Sequence, residues 1–592
     1  MHIRSFLLTL FVLLSAHSAR AQWQWHNPLL QPEPVVTGRA WHDQLADGYA
    51  RLPETARSMV RPQVWGLSRQ SAGLGVDFHT NAADITVRYT VDGNLAMPHM
   101  PATGVSGVDL YAYDKEGRER WCAARYTFGD TITYRYRDLA YADARPEFGY
   151  NYHLSLPLYN RVTWLEIGVP EGAAFAFTPV STERPIVVYG TSIAQGACAS
   201  RPGMAWTNIL SRETGHDIVN LGFSGNALVE APVFDLMSQI DALMYVVDCM
   251  PNMCDTQLRD SIYDRTLAGV RCLRSRSNAP ILLVEHAGHT DDLTRPEARS
   301  QRSEGNANLR RAYDRLVADG VAGVYYLSHD DIALGLDDMV EGVHPSDLGM
   351  RHIADAYLAA VRSILGEDSE RRCVFRPIPQ QRDPYDWQTR HRNVLKVNAA
   401  EPPQVVLIGN SITHYWAGLP TGRLVRGTDS WESLWAGQVA HNLGFGWDRI
   451  ENALWRINHG ELDGYDAEKV LLLLGTNNIA FNTDEEIADG ILEVVRSVRA
   501  HQPRAAIYVC SVLPRIDRGD RVAPLNAVIK SALERSGAPA RYLDLTPMAY
   551  DAEGNYRNEL FSDGLHPNAE GYRQLADRIR LLLDAEAKAA RR

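Results

Sequence analysis

Two serines in this chain sit at the same kind of junction. Ser192 lies in GTSIAQG, directly after the apolar run IVVY, and Ser411 lies in GNSITHYW, directly after VVLI. A serine hydroxyl is a weak nucleophile until an imidazole takes its proton and a carboxylate holds that imidazole in the right tautomer. Each serine has a candidate imidazole far downstream: His344 in EGVHPSD and His566 in DGLHPN, at separations of 152 and 155 residues. Glu341 and Asp563 stand three residues before the two histidines. An oxyanion also needs prearranged donors, commonly main-chain N–H groups and an asparagine side chain. Gly225 in NLGFSGNA and Gly446 in NLGFGWD offer loop amides, with Gly444 and the Trp447 backbone as alternatives in the second copy. Asn252 after YVVDCMP and Asn477 after LLLLGT offer side-chain amides. Taken singly, such a serine is more often a helix N-cap and such an asparagine a turn former. Their shared order, present twice, points to acyl transfer at two sites.

Glu341 carries one methylene more than Asp563, so it reaches its imidazole only if the loop stands back, and the nearby Asp338 is an alternative partner. Five tryptophans, at positions 416, 431, 435, 447 and 455, surround the second set of motifs. Most are expected to pack, with one or two lining a cleft. Cys198 and Cys249 lie near the first set, where nothing basic adjoins either thiol, so both are expected to be structural rather than reactive.

The elements that must position these residues follow from hydrophobic pattern. From about Gln22 to Thr182, runs such as ADITVRYTV and TITYRYRDL alternate apolar with polar residues between turn signals, as an antiparallel β-sandwich requires. From about Glu183 to Leu365, buried-strand runs alternate with amphipathic helical stretches, the pattern of an α/β unit with a mostly parallel sheet. Residues 404–592 repeat that alternation, and residues 366–403 form a polar, Arg- and Pro-rich connector that partly belongs to the second α/β unit. Serines directly after strands fall at the carboxyl edge of a parallel sheet, where active sites gather.

The chain of 592 residues is too long for one core. Its formal net charge of −12 argues against nucleic acid as main partner, and no internal apolar run is long enough to span a bilayer. Seven scattered cysteines form no CxxC pair. His286 and His289 in EHAGHTDD lack the helical spacing and third ligand of a zinc site, so neither metal nor cofactor is expected. The opening MHIRSFLLTLFVLLSAHSARAQ has a basic start, an apolar stretch and a small-x-small end. That is the layout of a secretory signal peptide cut after Ala21, which places the mature protein in the periplasm or outside the cell.

Both serine-bearing units resemble the SGNH (GDSL-like) hydrolases, whose four blocks supply Ser, Gly, Asn and His with an acidic residue three before the His. GNSITHYW, NLGFGWDRIENALWRI, LGTNN and DGLHPNAEGY are similar to the branch near platelet-activating-factor acetylhydrolase-like esterases, and GVDLY at residues 107–111 resembles the GxDLY accessory domain. The resemblance implies two flavodoxin-like α/β/α units behind an antiparallel β-sandwich. It further implies catalytic sets Ser192, Gly225, Asn252, Glu341, His344 and Ser411, Gly446, Asn477, Asp563, His566. By analogy with exported enzymes of this layout, the expected substrate is an acetylated plant cell-wall glycan such as xylan or xyloglucan. Sialate O-acetylesterase, a short-chain lipid esterase, or a glycan-binding protein with only the C-terminal unit catalytic are the alternatives.

Overall fold

The computed structural model describes residues 22–589 apart from 45–47, 115–116, 140–148, 255–256, 293, 368–370, 372 and 381–384. The expected signal peptide therefore lies outside the described residues. The described residues from Gln22 to Val180 build two antiparallel sheets, one carrying Trp23–His26, Ile85–Val91, Arg125–Thr127, Ile132–Tyr136 and Val162–Pro170. The other carries Val36–Thr37, Gly75–Thr80, Asp109–Tyr113, Glu119–Cys122, Tyr150–Ser155 and Phe175–Phe177. Their inward residues, among them Phe78, Val87, Tyr89, Leu110, Tyr134, Tyr152 and Ile167, form one core between the sheets, the alternation a sandwich demands.

Each α/β unit contains a five-stranded parallel sheet. In the first, the strands run Ile218–Gly222, Ile186–Gly190, Met244–Asp248, Ile281–Val284 and Val324–Leu327 from edge to edge. In the second they run Ala440–Gly444, Val405–Gly409, Lys469–Leu473, Ala506–Cys510 and Ala540–Leu543. Both sheets have the order 2-1-3-4-5 of flavodoxin-like folds, with helices on both faces. Strands of this kind are buried on both sides, which is why IVVYG and VVLIG read as continuous apolar runs. The two units close with the helices Asp347–Leu365 and Ala569–Ala589.

The connector contributes the helix Trp387–Ala400, whose inward face is mostly polar: Arg390, His391 and Asn398 are buried with Trp387 and Val394. It packs on the second unit, where Trp387 Nε1–H donates to Asp448 Oδ1 at 2.7 Å and His391 Nδ1 lies 2.7 Å from Glu461 Oε1. The GVDLY segment docks the sandwich onto the first unit. Asp109 accepts from Arg201 Nη1 at 2.7 Å and from the Gly203 amide at 2.8 Å, and Arg201 also reaches the Tyr111 hydroxyl at 2.6 Å. A Cβ at Gly203 would lie 2.1 Å from that hydroxyl oxygen. All seven cysteines are free thiols, and among the described residues no helix is long and apolar enough to cross a membrane.

Candidate active sites at the carboxyl edges of the two parallel sheets

Each serine opens a one-turn helix, Ser192–Gln195 or Ser411–His414, immediately after the first strand of its unit. Thr191 and Asn410 are the N-caps, and their side-chain oxygens accept from the amides of Ile193 at 3.3 Å and Ile412 at 3.0 Å. The cap takes the second amide of the turn and leaves the serine's own amide unclaimed, as helix starts do. The turn is tight. A Cβ on Gly190 would come within 2.5 Å of the Ala194 side chain, and one on Gly409 within 2.1 Å of Thr413 Oγ1.

The histidines come from loops ahead of the last helices, and the two loops fold alike. Val340 N–H donates to His344 O and Ser562 N–H to His566 O, both at 2.8 Å. Short bridges pair Met339 with Pro345 and Phe561 with Pro567. Ser192 Oγ lies 2.9 Å from His344 Nε2, and Ser411 Oγ lies 2.8 Å from His566 Nε2. On the far side of each ring, His344 Nδ1 bonds Glu341 Oε1, and His566 Nδ1 stands 2.7 Å from Asp563 Oδ2. Each carboxylate also accepts its histidine's backbone amide, at 3.1 Å in the first site and 2.8 Å in the second. Partial burial works to raise the Asp563 carboxyl, but the His566 amide and imidazole outweigh it and hold the group below the ordinary carboxylate range. Both serines are almost fully buried, while both histidines stay partly open.

Asp338 has no part in the first triad. It is buried, and its Oδ2 accepts from the Gly335 amide at 2.6 Å and lies 3.0 Å from His352 Nδ1. The extra methylene of Glu341 is accommodated, since the longer side chain still meets the ring.

The loop donor of the second unit is corrected by one residue. Gly446 N–H donates to His414 Nδ1 at 3.0 Å, so that amide is occupied. Gly444 is also excluded, because its amide is held by Asn442 Oδ1 at 2.9 Å. In the first unit the position matching Gly446 is Ser224, whose amide donates to Gln195 Oε1 at 3.0 Å. The next residue is the free one in both units. Gly225 has φ 68° and Trp447 has φ 63°, and both are exposed, with no partner on the amide among the described residues. A non-glycine residue in the left-handed region is strained, and Trp447 holds that conformation in the loop after the second strand of its unit. Asn252 Oδ1 accepts from the Ala227 amide at 3.2 Å, which leaves its Nδ2 available. Asn477 spends one Nδ2 proton on Asp448 O at 2.9 Å and keeps the other.

A sequence profile of the GDSL-like Lipase/Acylhydrolase family matches residues 183–362, and a second profile of the same description matches residues 407–574. The chain belongs to the SGNH (GDSL-like) hydrolase family. A third profile, the GxDLY N-terminus of SGNH-hydrolase-type esterases, matches residues 23–175. Platelet-activating factor acetylhydrolase IB subunit alpha1 of Bos taurus is 29% identical over 205 residues, covering 33% of this chain and 82% of that protein. The alpha2 subunit of Rattus norvegicus is 27% identical over 200 residues, covering 33% and 83%. A GDSL-like protein from Bacteroides ovatus superimposes with a TM-score of 0.53 at 29% identity, over 58% of this chain and 98% of that one. As a member of the SGNH hydrolases, the chain is an ester-hydrolysing enzyme.

Several positioning residues of this SGNH hydrolase escaped the sequence reading. Asn220 and Asn442 each donate through Nδ2 to a carbonyl of the serine turn, Ala194 O and Thr413 O, both at 2.7 Å. The shared NLGF of the two units carries that signal, since the asparagine repeats with the glycine. A buried guanidinium then holds the end of each second strand. Arg51 Nη1 donates to Asn220 O at 3.1 Å and Gly222 O at 2.7 Å; Arg390 donates to Asn442 O at 3.1 Å and Gly444 O at 2.7 Å. Burial lowers both, Arg51 to about 9 and Arg390 to about 10. An aromatic ring lies beside each base, His99 at 5.7 Å from His344 and Tyr415 at 5.0 Å from His566. Of the five tryptophans, Trp416, Trp431, Trp435 and Trp455 are core, and Trp447 is 56% exposed. His99, Cys198 and His344 place ligand atoms within 4.8 Å of one another, but His344 is already committed to Ser192 and Glu341. Burial, with Glu341 nearby, raises the Cys198 thiol to about 11, so it is no ready thiolate ligand.

Proposed function

We propose that the chain is an exported carbohydrate O-acetylesterase with two working sites. The observation that carries this reading is the pair of closed relays: each serine hydroxyl meets its own imidazole, and each imidazole is held from behind by a carboxylate. Ser192 or Ser411 attacks the acetyl carbonyl carbon as His344 or His566 takes the hydroxyl proton. The negative oxygen is met by the serine amide, by the Gly225 or Trp447 amide, and by Asn252 or Asn477 Nδ2. The imidazolium returns its proton to the leaving sugar oxygen as the C–O bond breaks. Water, deprotonated by the same histidine, then releases acetate and frees the serine.

Support for a sugar substrate comes from the donor loop of the second site. The exposed indole of Trp447 stands next to the second donor loop and offers the flat apolar face that stacks on sugar rings. Export rests on the leader-like residues 1–21. Assembly of both relays favours two catalytic units over a protein in which the first unit only binds glycan. Acetate release from acetylated xylan, xyloglucan and sialoglycans is the test, using wild type, Ser192→Ala, Ser411→Ala and the double variant. The proposal expects partial loss in each single variant and complete loss in the double one. Full activity in Ser192→Ala on every glycan would reduce the first unit to a binding module.

A further inference from the structure

Beyond the two relays, the first α/β unit holds a polar cavity of about 700 Å³ that the reaction does not use. It opens at the carboxyl ends of Ile281–Val284 and Val324–Leu327, lined by Glu285, His286, Asp292, Arg299, Arg302 and His329. Its wall continues to Ala333 and Leu334, just before the loop that carries Glu341 and His344. These strands are two and three places along the sheet from the strand that delivers Ser192. At about 4.8 Å per strand the lateral offset is roughly 10–14 Å, a distance that one chain of sugars spans.

Two of the cavity's carboxylates, Glu285 and Asp292, are already matched, and Asp330 is exposed 3.4 Å from His329 Nε2. Glu285 accepts from the Tyr326 hydroxyl at 2.5 Å and the His329 amide at 2.9 Å, and lies 2.7 Å from His329 Nδ1. Asp292 pairs with Arg302. Among the described lining residues, two donors bear on what the cavity could hold. His286 is 2% exposed; its Nδ1 accepts the Gly288 amide at 3.0 Å, which puts the ring proton on Nε2, and Nε2 has no partner. A buried donor left unmet is destabilising, so its retention in the wall of a cavity calls for a ligand acceptor. The Arg299 guanidinium is exposed at the same wall, with no side-chain partner among the described residues. With Arg302 and Arg310 paired to Asp292 and Asp314, one remaining cation and one neutral N–H in the same lining suit a single negative charge, and a guanidinium is the natural fork for a carboxylate.

We propose that this cavity is an acidic-sugar subsite of the first catalytic unit, in which Arg299 and His286 Nε2–H hold the carboxylate of a saccharide whose O-acetyl group lies at Ser192. The proposal rests on the esterase reading of that unit. A uronic acid branch and a nonulosonic acid such as sialic acid share this chemistry, and separate substrates distinguish them.

Ser411→Ala protein, with only the first relay intact, is assayed on acetylated xylo-oligosaccharides with and without a 4-O-methylglucuronate branch, and on O-acetylated sialic acid. One of the acidic substrates is expected to exceed the neutral one about tenfold in kcat/KM, through KM. Arg299→Gln, a surface change that spares the core, should reduce that ratio about tenfold, and Arg299→Lys should restore much of it. Equal kcat/KM for acidic and neutral substrates, or an unchanged ratio in Arg299→Gln, overturns the proposal. Calorimetry on the Ser192→Ala/Ser411→Ala protein separates binding from catalysis, using the deacetylated branched oligosaccharide, sialic acid and inorganic phosphate as probes. Binding of either acid supports the subsite even if Ser411→Ala releases no acetate, a result that would count against the esterase reading alone. Binding of neither acid, or tighter binding of phosphate, overturns it.

Discussion

The two α/β units solve one positioning problem with different parts of the chain. In both, a buried arginine clamps the last carbonyls of the second strand and so fixes the loop that offers the oxyanion amide. The second unit draws Arg390 from its own connector helix, whereas the first borrows Arg51 from the sandwich. The same division recurs beside the catalytic base. Tyr415 follows the serine turn directly, while His99 reaches the first site from the sandwich, as does Tyr159, whose hydroxyl donates to Ser192 O at 3.3 Å. The requirement for a cation behind that loop is common to both units, and its source is whichever segment packs there. The sandwich is therefore a structural part of the first candidate site and not a separate appendage.

The largest effect that would break this symmetry concerns the carboxylates. In a Ser192→Ala background, Asp563→Asn should lower kcat for p-nitrophenyl acetate about 10⁴-fold, because the imidazole loses its tautomer and its counter-charge. In a Ser411→Ala background, Glu341→Gln should fall by a similar order. A loss of less than tenfold there would set the first relay apart from the second. Next come the clamps. Arg51→Met or Arg390→Met leaves buried carbonyls unmet and should cost about 2–3 kcal/mol in denaturant unfolding of the unit concerned. Arg51→Met is expected to loosen the first unit together with its sandwich and leave Ser411 turnover intact, and Arg390→Met the reverse. A smaller effect, about tenfold in kcat, is expected of Glu341→Asp, since the loop is set for the longer side chain.

The smallest concerns the groups that hold the inner loop amide, Gln195 in one unit and His414 in the other. Burial, then the charges of Arg390 and Arg456, lower His414 to about 3. The unfolded chain takes up a proton at about pH 6.5 that the folded site refuses. Stability of the second unit therefore falls as pH drops from about 6.5 towards 3 and is unaffected by His414 above that range. His414→Gln, which copies the first unit, should move the acid-unfolding midpoint to lower pH; no movement would show that His414 is not the sensitive group.

Much of the fold was legible because buried parallel strands and half-buried antiparallel ones have distinct periods, and the serine, loop-glycine and asparagine blocks each follow a strand end. The serines were legible for the same reason, and the histidines with their acidic partners through the His-Pro motif repeated ahead of each last helix. Which loop amide of the second unit is free was not legible, because a main-chain donor carries no side-chain signal: the glycine pattern favours Gly446 over the Trp447 backbone, whereas it is the Trp447 amide that has no partner among the described residues. Arg51 and Arg390 left no local mark, since their partners lie 169 and 52 residues away at the nearest shared contact, the Asn220 and Asn442 carbonyls. The helix Trp387–Ala400 looked like linker because its buried face is charged, and only its pairing with Asp448, Glu461 and the strand carbonyls makes that face an interior one.

Stoichiometric labelling addresses two-site catalysis without any choice of substrate. Wild-type protein is treated with excess fluorophosphonate, which modifies only serines activated by a neighbouring base, and is then analysed by intact mass and peptide mapping. The account predicts two phosphonyl groups per chain, one on Ser192 and one on Ser411, each lost with its own alanine variant. A single adduct confined to Ser411 in folded protein would contradict it.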